Sequence, residues 1–272
     1  LSGFLHIIVY IGFVVINIEV LEIIIDGLFG THRIFSGLGI FYNILIASFE
    51  ILALLVLVSV VIFWIRRNFK KIKRFWSPEM KGWPKNDGNI ILYFEMVLMS
   101  LFLLMNVSDL QLQILGADHY NTAGSFPVSS YLLPLFENLS ETSLIIFERT
   151  AWWLHIIGIF VFLNYLYYSK HLHILLAFPN VYHGSVEPKG KFKNLESVTT
   201  EVKLMMDPNL DPFATPTTES DVPAKFGASD VLDLNRTQLL NAYTCTECGR
   251  CSSNCPANQT GKKLSPRKIM MD

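Results

Sequence analysis

All four cysteines of the 272-residue chain fall in one short run, Cys245-Thr-Glu-Cys248-Gly-Arg-Cys251-Ser-Ser-Asn-Cys255-Pro256. The spacing is C-x₂-C-x₂-C-x₃-C-P. It wraps three thiolates around one face of a 4Fe-4S cluster, and in two-cluster ferredoxins it sends the fourth to a second cluster. Gly249 permits the tight turn between ligands, where main-chain N–H groups can point at cluster sulfurs. Zinc is the alternative, but structural zinc sites take two well-separated ligand pairs. The expectation is therefore one iron–sulfur cluster, or two in the full-length protein, with Cys255 able to serve a cluster whose other ligands lie beyond residue 272.

Histidines in apolar surroundings form the second set. His155 and His173 are 18 residues apart. On one continuous helix that is five turns, so both rings share a face roughly 27 Å apart along the axis. His171 points about 160° away by the same geometry, toward a structural hydrogen bond or a lipid or quinone head group. A haem iron takes two axial imidazoles from facing helices. His6 is expected to meet His173 near one membrane surface, and His32 to meet His155 near the other, giving one or two haems b. A lone His near a membrane surface is more often a polar anchor; matched depths on antiparallel helices favour ligation. Glu19, Glu50 and Glu95 are costly inside a membrane, with Glu22 and Asp26 nearer its edge. They either supply protons to a quinone or pair with Arg33, Arg149 and other buried polar groups.

The elements that must position these residues are apolar. Hydrophobic residues make up 51% and charged ones 17%, against about 25% charged in soluble domains. A net charge of −1 gives no argument for nucleic-acid binding. Residues 4–25, 40–65, 90–115 and 151–176 each reach the ~20 apolar residues needed to span a bilayer. Residues 131–147, broken by Pro134, Glu137 and Glu141, read as an interfacial helix. The loop between the second and third spans holds Arg66, Arg67, Lys70, Lys71, Lys73, Arg74, Lys81 and Lys85, whereas residues 116–147 contain neither Lys nor Arg. By the positive-inside rule the basic loop is cytoplasmic, and so are the cysteines. Disulfides are not expected on that side.

The expected fold is all-α: a polytopic transmembrane bundle over residues 1–178, a cytoplasmic linker over 179–237 and a small helical ferredoxin-type segment from 238 to 272. Residues 211–222 read as extended linker. Residues 234–243 read as a short helix delivering Cys245, and Ser265-Pro266 starts another. Leu1 stands at the edge of an apolar run with no signal-peptide pattern, so the chain is expected to be an internal piece of a longer protein.

With these residues set out, residues 4–176 resemble the haem-b membrane subunit of respiratory nitrate reductase, in its second to fifth helices. His155 and His173 match best; of that family's pair on its second helix, His6 matches one, and Ile16 stands where the other would fall. Residues 226–272 resemble the iron–sulfur subunits of heterodisulfide reductase and anaerobic glycerol-3-phosphate dehydrogenase, through the Cys245–Ala257 run and Gly261-Lys-Lys-Leu-Ser-Pro-Arg. Ser169-Lys-His-Leu-His-Ile resembles the junction in fused proteins of this kind. The resemblance implies a membrane-bound iron–sulfur oxidoreductase of a bacterial or archaeal cytoplasmic membrane. Its implied partners are membrane lipid, menaquinone or another quinone, and a soluble donor such as an electron-transfer flavoprotein or a dehydrogenase subunit. A quinol-linked thiol–disulfide reductase is the alternative, and a non-redox anchor or transporter the third reading.

Overall fold

The computed structural model describes residues 1–188, 194, 196–208, 228 and 230–271; the extended linker expected at 211–222 lies outside them. The described residues are helical and contain no strand. Four helices are long and apolar enough to cross a membrane: α1 Ser2–Phe29, α2 Ile40–Asn68, α3 Trp83–Leu115 and α4 Glu141–Leu166. Short helices follow: α5 His173–Tyr182, α6 Glu196–Met206, α7 Arg236–Tyr243, α8 Arg250–Asn254, α9 Pro256–Gln259 and α10 Pro266–Met271. The chain divides into two units, residues 1–172 with 246–272, and residues 173–245. Cys245 thus belongs to the second unit, and Cys248, Cys251 and Cys255 to the first.

In the first unit each long helix packs on the next in chain order. Ile16, Ile46, Phe49, Val56, Phe102 and Ile156 are among the buried centre. Ile7, Val14 and Leu21 on α1 and Leu154, Ile157 and Val161 on α4 stay exposed, as faces turned to lipid require. The sequence allows close helix approach where side chains are smallest. A Cβ on Gly12 would lie 2.4 Å from Val56 Cγ2, and one on Gly158 2.8 Å from Leu98 Cδ2. Helices α1 and α3 stop at Gly30 (φ 67°) and Gly116 (φ 69°), which take the left-handed conformation that a side chain disfavours.

The fourth span differs from its expected limits of 151–176. Ser140 caps the helix by accepting from the Ser143 N–H, so α4 begins at Glu141. The Pro134 region ahead of it forms two 3₁₀ turns, Ser129–Tyr131 and Leu133–Leu135, in place of the expected interfacial helix. At its other end α4 stops at Leu166, a 3₁₀ turn spans Lys170–Leu172, and α5 starts afresh at His173. Asp87 explains the break. Its carboxylate accepts from Tyr165 Oη at 2.5 Å, Ser169 Oγ at 2.7 Å and the Lys170 N–H at 3.1 Å. These bonds draw the chain out of helical register. His155 and His173 therefore do not share one continuous helix, and the face argument built on their spacing does not apply.

In the second unit α5 packs against α7, and Asn180 Nδ2 donates to Thr244 Oγ1 at 2.9 Å. A capping box between Asn235 and Gln238 starts α7.

Candidate functional site

The cysteine run lies on a series of turns. Cys245 follows α7, its N–H bonding the Ala242 carbonyl at 3.0 Å. Glu247 (φ 52°) and Gly249 (φ 70°) both take left-handed backbone, which folds the chain tightly between Cys248 and Cys251. Cys255 ends α8 and caps α9, with Pro256 in its first turn. None of the four cysteines is in a disulfide, and Cys251 is the most exposed. Among the described residues no three His, Cys, Asp or Glu side chains are gathered in a metal-holding arrangement.

Within the first unit this segment is fastened to the basic loop. Arg267 of α10 is 1% exposed. It donates to the Arg74 carbonyl at 2.7 Å and Glu79 Oε1 at 2.6 Å, and also to Ser77 Oγ. Ser265 Oγ donates to the same Glu79 oxygen at 2.9 Å. Burial alone would raise the Glu79 pKa, but its own backbone N–H, Arg267 and Ser265 together pull it down to about 2. Gly249 lies against the Arg267 guanidinium, where a Cβ would come within 2.4 Å of Nη1. Lys170 pairs with Glu247 and donates to the Pro84 carbonyl at 2.6 Å. Sequence reading missed Arg267, Glu79 and Asp87. Arg267 sits in the Ser-Pro-Arg stretch already noted, but nothing local names Glu79 as its partner.

The histidines separate. His155 is 2% exposed, and its Nδ1 lies 3.0 Å from the Leu98 carbonyl. A carbonyl only accepts, so Nδ1 carries the proton and Nε2 is the acceptor. The ring lines a mostly apolar cavity of about 80 Å³ with Gly12, Ile16, Val56, Glu95 and Phe162. His32 lines a different cavity, so the two residues expected to share a haem are not brought together. Haem fits poorly at His155, because Ile16 stands in that cavity with no second imidazole. His6 lies near the start of α1, and His173 opens α5 in the other unit. The His171 ring packs against Phe162, with centroids 5.2 Å apart.

At the end of the bundle opposite the basic loop lies a buried polar network. Arg33 takes left-handed backbone (φ 52°) and turns its side chain inward. Its Nε donates to Asp109 at 2.7 Å, Nη2 to Asn106 at 3.2 Å, and Nη1 to Tyr42 Oη at 3.2 Å. Burial opposes the charge of Arg33, but Asp109, Tyr42 and Glu19 beside it raise its pKa further. Tyr42 donates to Glu22 at 2.9 Å. Glu50 accepts from the Val128 N–H at 2.9 Å, the Ser129 N–H at 3.1 Å and Asn106 Nδ2 at 3.3 Å, and from Ser129 Oγ. Tyr120 donates to Glu148 at 3.0 Å, and burial together with that carboxylate pushes its pKa up to about 12. The network surrounds a cavity of about 180 Å³ lined by Glu19, Glu22, Asp26, His32, Arg33, Asp109, His119, Glu148, Arg149, Trp152 and Trp153, among others. Arg33 and Arg149 pair with Asp109 and Glu148, not with Glu19, Glu50 or Glu95, whereas Glu22 and Glu50 are hydrogen-bonded by other buried polar groups. Asp109 was missed, although a carboxylate so deep in an apolar span is itself the signal.

No family model matches the chain, and no solved structure matches it. Among curated proteins it is 28% identical over 270 residues to a probable iron-sulfur-binding oxidoreductase, FadF, of Bacillus subtilis, covering 99% of this chain and 33% of that protein. It is 25% identical over 280 residues to the EtfAB:quinone oxidoreductase of Syntrophomonas wolfei, covering 98% of this chain and 34% of that one. Over 52 residues it is 38% identical to a probable membrane-anchored ferredoxin of Chromohalobacter salexigens, covering 19% of this chain and 8% of that protein. The chain spans about a third of the length of the first two relatives. What it is similar to, along nearly its whole length, is two oxidoreductases, one of them described as iron-sulfur-binding.

Proposed function

We propose that this chain is the membrane portion and first cluster-binding segment of an oxidoreductase that passes electrons between a cytoplasmic 4Fe-4S cluster and a membrane quinone. The observation that carries the reading is the C-x₂-C-x₂-C-x₃-C-P run fastened by Arg267 to the basic loop of a helix bundle long enough to span a membrane. Four thiols within one run are the donor set such a cluster needs. Cys245, Cys248 and Cys251 would hold it, and Cys255 would complete it or serve a second cluster. A bound cluster supplies one-electron transfer. Arg267 and Glu79 hold the segment that carries three of the ligands, and Gly249 keeps its backbone close to that guanidinium. The basic loop supports a cytoplasmic location for this end by the positive-inside rule.

His6 and His173 remain the donors that the sequence offers for one haem b. His155 and His32 do not suit a second, because they line separate cavities and His32 Nε2 is taken by Asp109. The names of two relatives support an oxidoreductase that contains iron and sulfur and reaches a quinone. One of them also supports an electron-transfer flavoprotein as the soluble donor. The test is Cys248→Ser in the full-length membrane protein. Electron paramagnetic resonance should lose one cluster signal, because a hydroxyl poorly replaces a thiolate on iron, while the reduced-minus-oxidised haem spectrum persists. Unchanged iron and sulfide content would overturn the assignment.

A further inference from the structure

The larger cavity holds two polar atoms that the fold leaves unsatisfied. Glu19 Oε2 and His32 Nδ1 are buried without a hydrogen-bond partner; Glu19 is 3% exposed and the His32 side chain 9%. Both residues line the same cavity of about 180 Å³. Leaving such groups unpaired in a buried site is costly, so a ligand able to bond both would recover that cost.

The chemistry of that ligand follows from His32. Its Nε2 lies 3.1 Å from Asp109 Oδ1, and Asp109 is held by Arg33 at 2.7 and 2.5 Å. A carboxylate pinned by a guanidinium accepts, so Nε2 carries the proton and Nδ1 of the neutral ring offers a lone pair. A base whose far nitrogen is oriented by a carboxylate is the arrangement that removes a proton from a hydroxyl. Glu19 offers a second acceptor. Trp152, Trp153, Met105 and Ile23 provide aromatic and apolar wall. A flat ring with a hydroxyl at each end offers one donor to each acceptor and two apolar faces to these walls.

We propose that this cavity binds the ring of a membrane hydroquinone, with His32 Nδ1 and the Glu19 carboxylate as the two proton acceptors. The proposal rests on the quinone-linked reading above. On oxidation both O–H bonds break and the ring becomes the dicarbonyl quinone. One proton goes to His32 and one to Glu19, and two electrons leave singly, with the oxidised iron–sulfur cluster at the other end of the bundle as their final acceptor. In the reverse direction the same groups return the protons. Glu50 has no part in this, since backbone and side-chain donors already occupy its carboxylate.

The test uses full-length protein with menadiol and menadione as probes. Menadione should quench tryptophan fluorescence, and Trp152→Phe should remove most of that quench. His32→Gln and Glu19→Gln should weaken menadiol binding about tenfold or more. His32→Gln should also slow cluster reduction by menadiol about 100-fold, the lower range for loss of a general base, with the cluster signal intact. If both variants bind and oxidise menadiol like the wild type, or the quench survives Trp152→Phe, the cavity is not the quinone site and its occupant is water. Should the wild-type protein, with its cluster intact, neither bind nor oxidise menadiol, the quinone-linked reading itself falls with it.

Discussion

The two ends of the helix bundle bury charge in opposite ways. At the basic end, charges close on one another across long stretches of sequence. Arg267 meets Glu79, Lys170 meets Glu247, and Asp87 is occupied by Tyr165, Ser169 and the Lys170 N–H. The unsatisfied atoms there are the Nε groups of Arg67, Arg74 and Arg267, belonging to guanidinium groups already held by carbonyls, carboxylates or the Phe75 ring. At the opposite end a comparably dense network surrounds a cavity and leaves an imidazole nitrogen and a carboxylate oxygen open to it. A saturated network holds two pieces of chain together. An incompletely saturated one is a place where a ligand or a proton can enter, because a buried polar group without a partner is unstable until something supplies one.

The largest effect that would break this contrast concerns the histidines. If cofactor ligation belongs to the His6 and His173 pair, His173→Ala should abolish haem b, while His155→Ala should leave the haem content unchanged. Pyridine haemochrome quantification of the purified full-length protein decides it; loss of haem only in the His155 variant would reverse the assignment.

Arg267→Ala sharpens the comparison from the docked side. Removing one partner of a buried pair costs about 3–5 kcal/mol. Amide exchange should accelerate together over residues 246–271 and 73–80, and stay unchanged in α1 and α2. Protection that persists over both stretches would mean that packing, not this ion pair, fastens the segment.

The smallest effect is a pH dependence. Glu79 has a pKa of about 2 when docked, against 4.5 unperturbed. A depressed carboxylate contributes stability that is fully present above its unfolded pKa and is lost as pH falls through the folded one. Docking should therefore hold at pH 5 and weaken progressively between pH 4.5 and 2, and Glu79→Gln should flatten that part of the profile. Limited proteolysis at pH 5 and 3 with an acid-active protease reads it out. A wild-type profile as flat as that of the variant would remove Glu79 from the account.

Much of the architecture was legible from hydropathy, because a bilayer demands long apolar helices and four such stretches stand out. The helix ends were less so. The fourth helix starts about ten residues earlier than its apolar core suggests, since the Ser140 cap lies ahead of Glu141 and Glu148, charges that hydropathy counts against a span. Its other end is set by Asp87, about eighty residues away in sequence, which no local pattern reveals. The same limit separates the site residues. The cysteine run is a local motif whose chemistry is written in its spacing. The shared face of His155 and His173 was an extrapolation along one ideal helix, and it does not hold where α4 stops at Leu166 and α5 starts afresh at His173.

The sequence by itself determined which segments are apolar enough to enter a membrane, which loop is basic, and which four thiols stand at iron–sulfur spacing, for these depend on composition and neighbours a few residues apart. Tertiary structure alone decided that Arg267 locks onto Glu79, that Glu50 is saturated, and that Glu19 and His32 face one cavity. Those outcomes depend on which polar groups from distant helices reach each buried atom, and on which atoms are left over once the helices have packed.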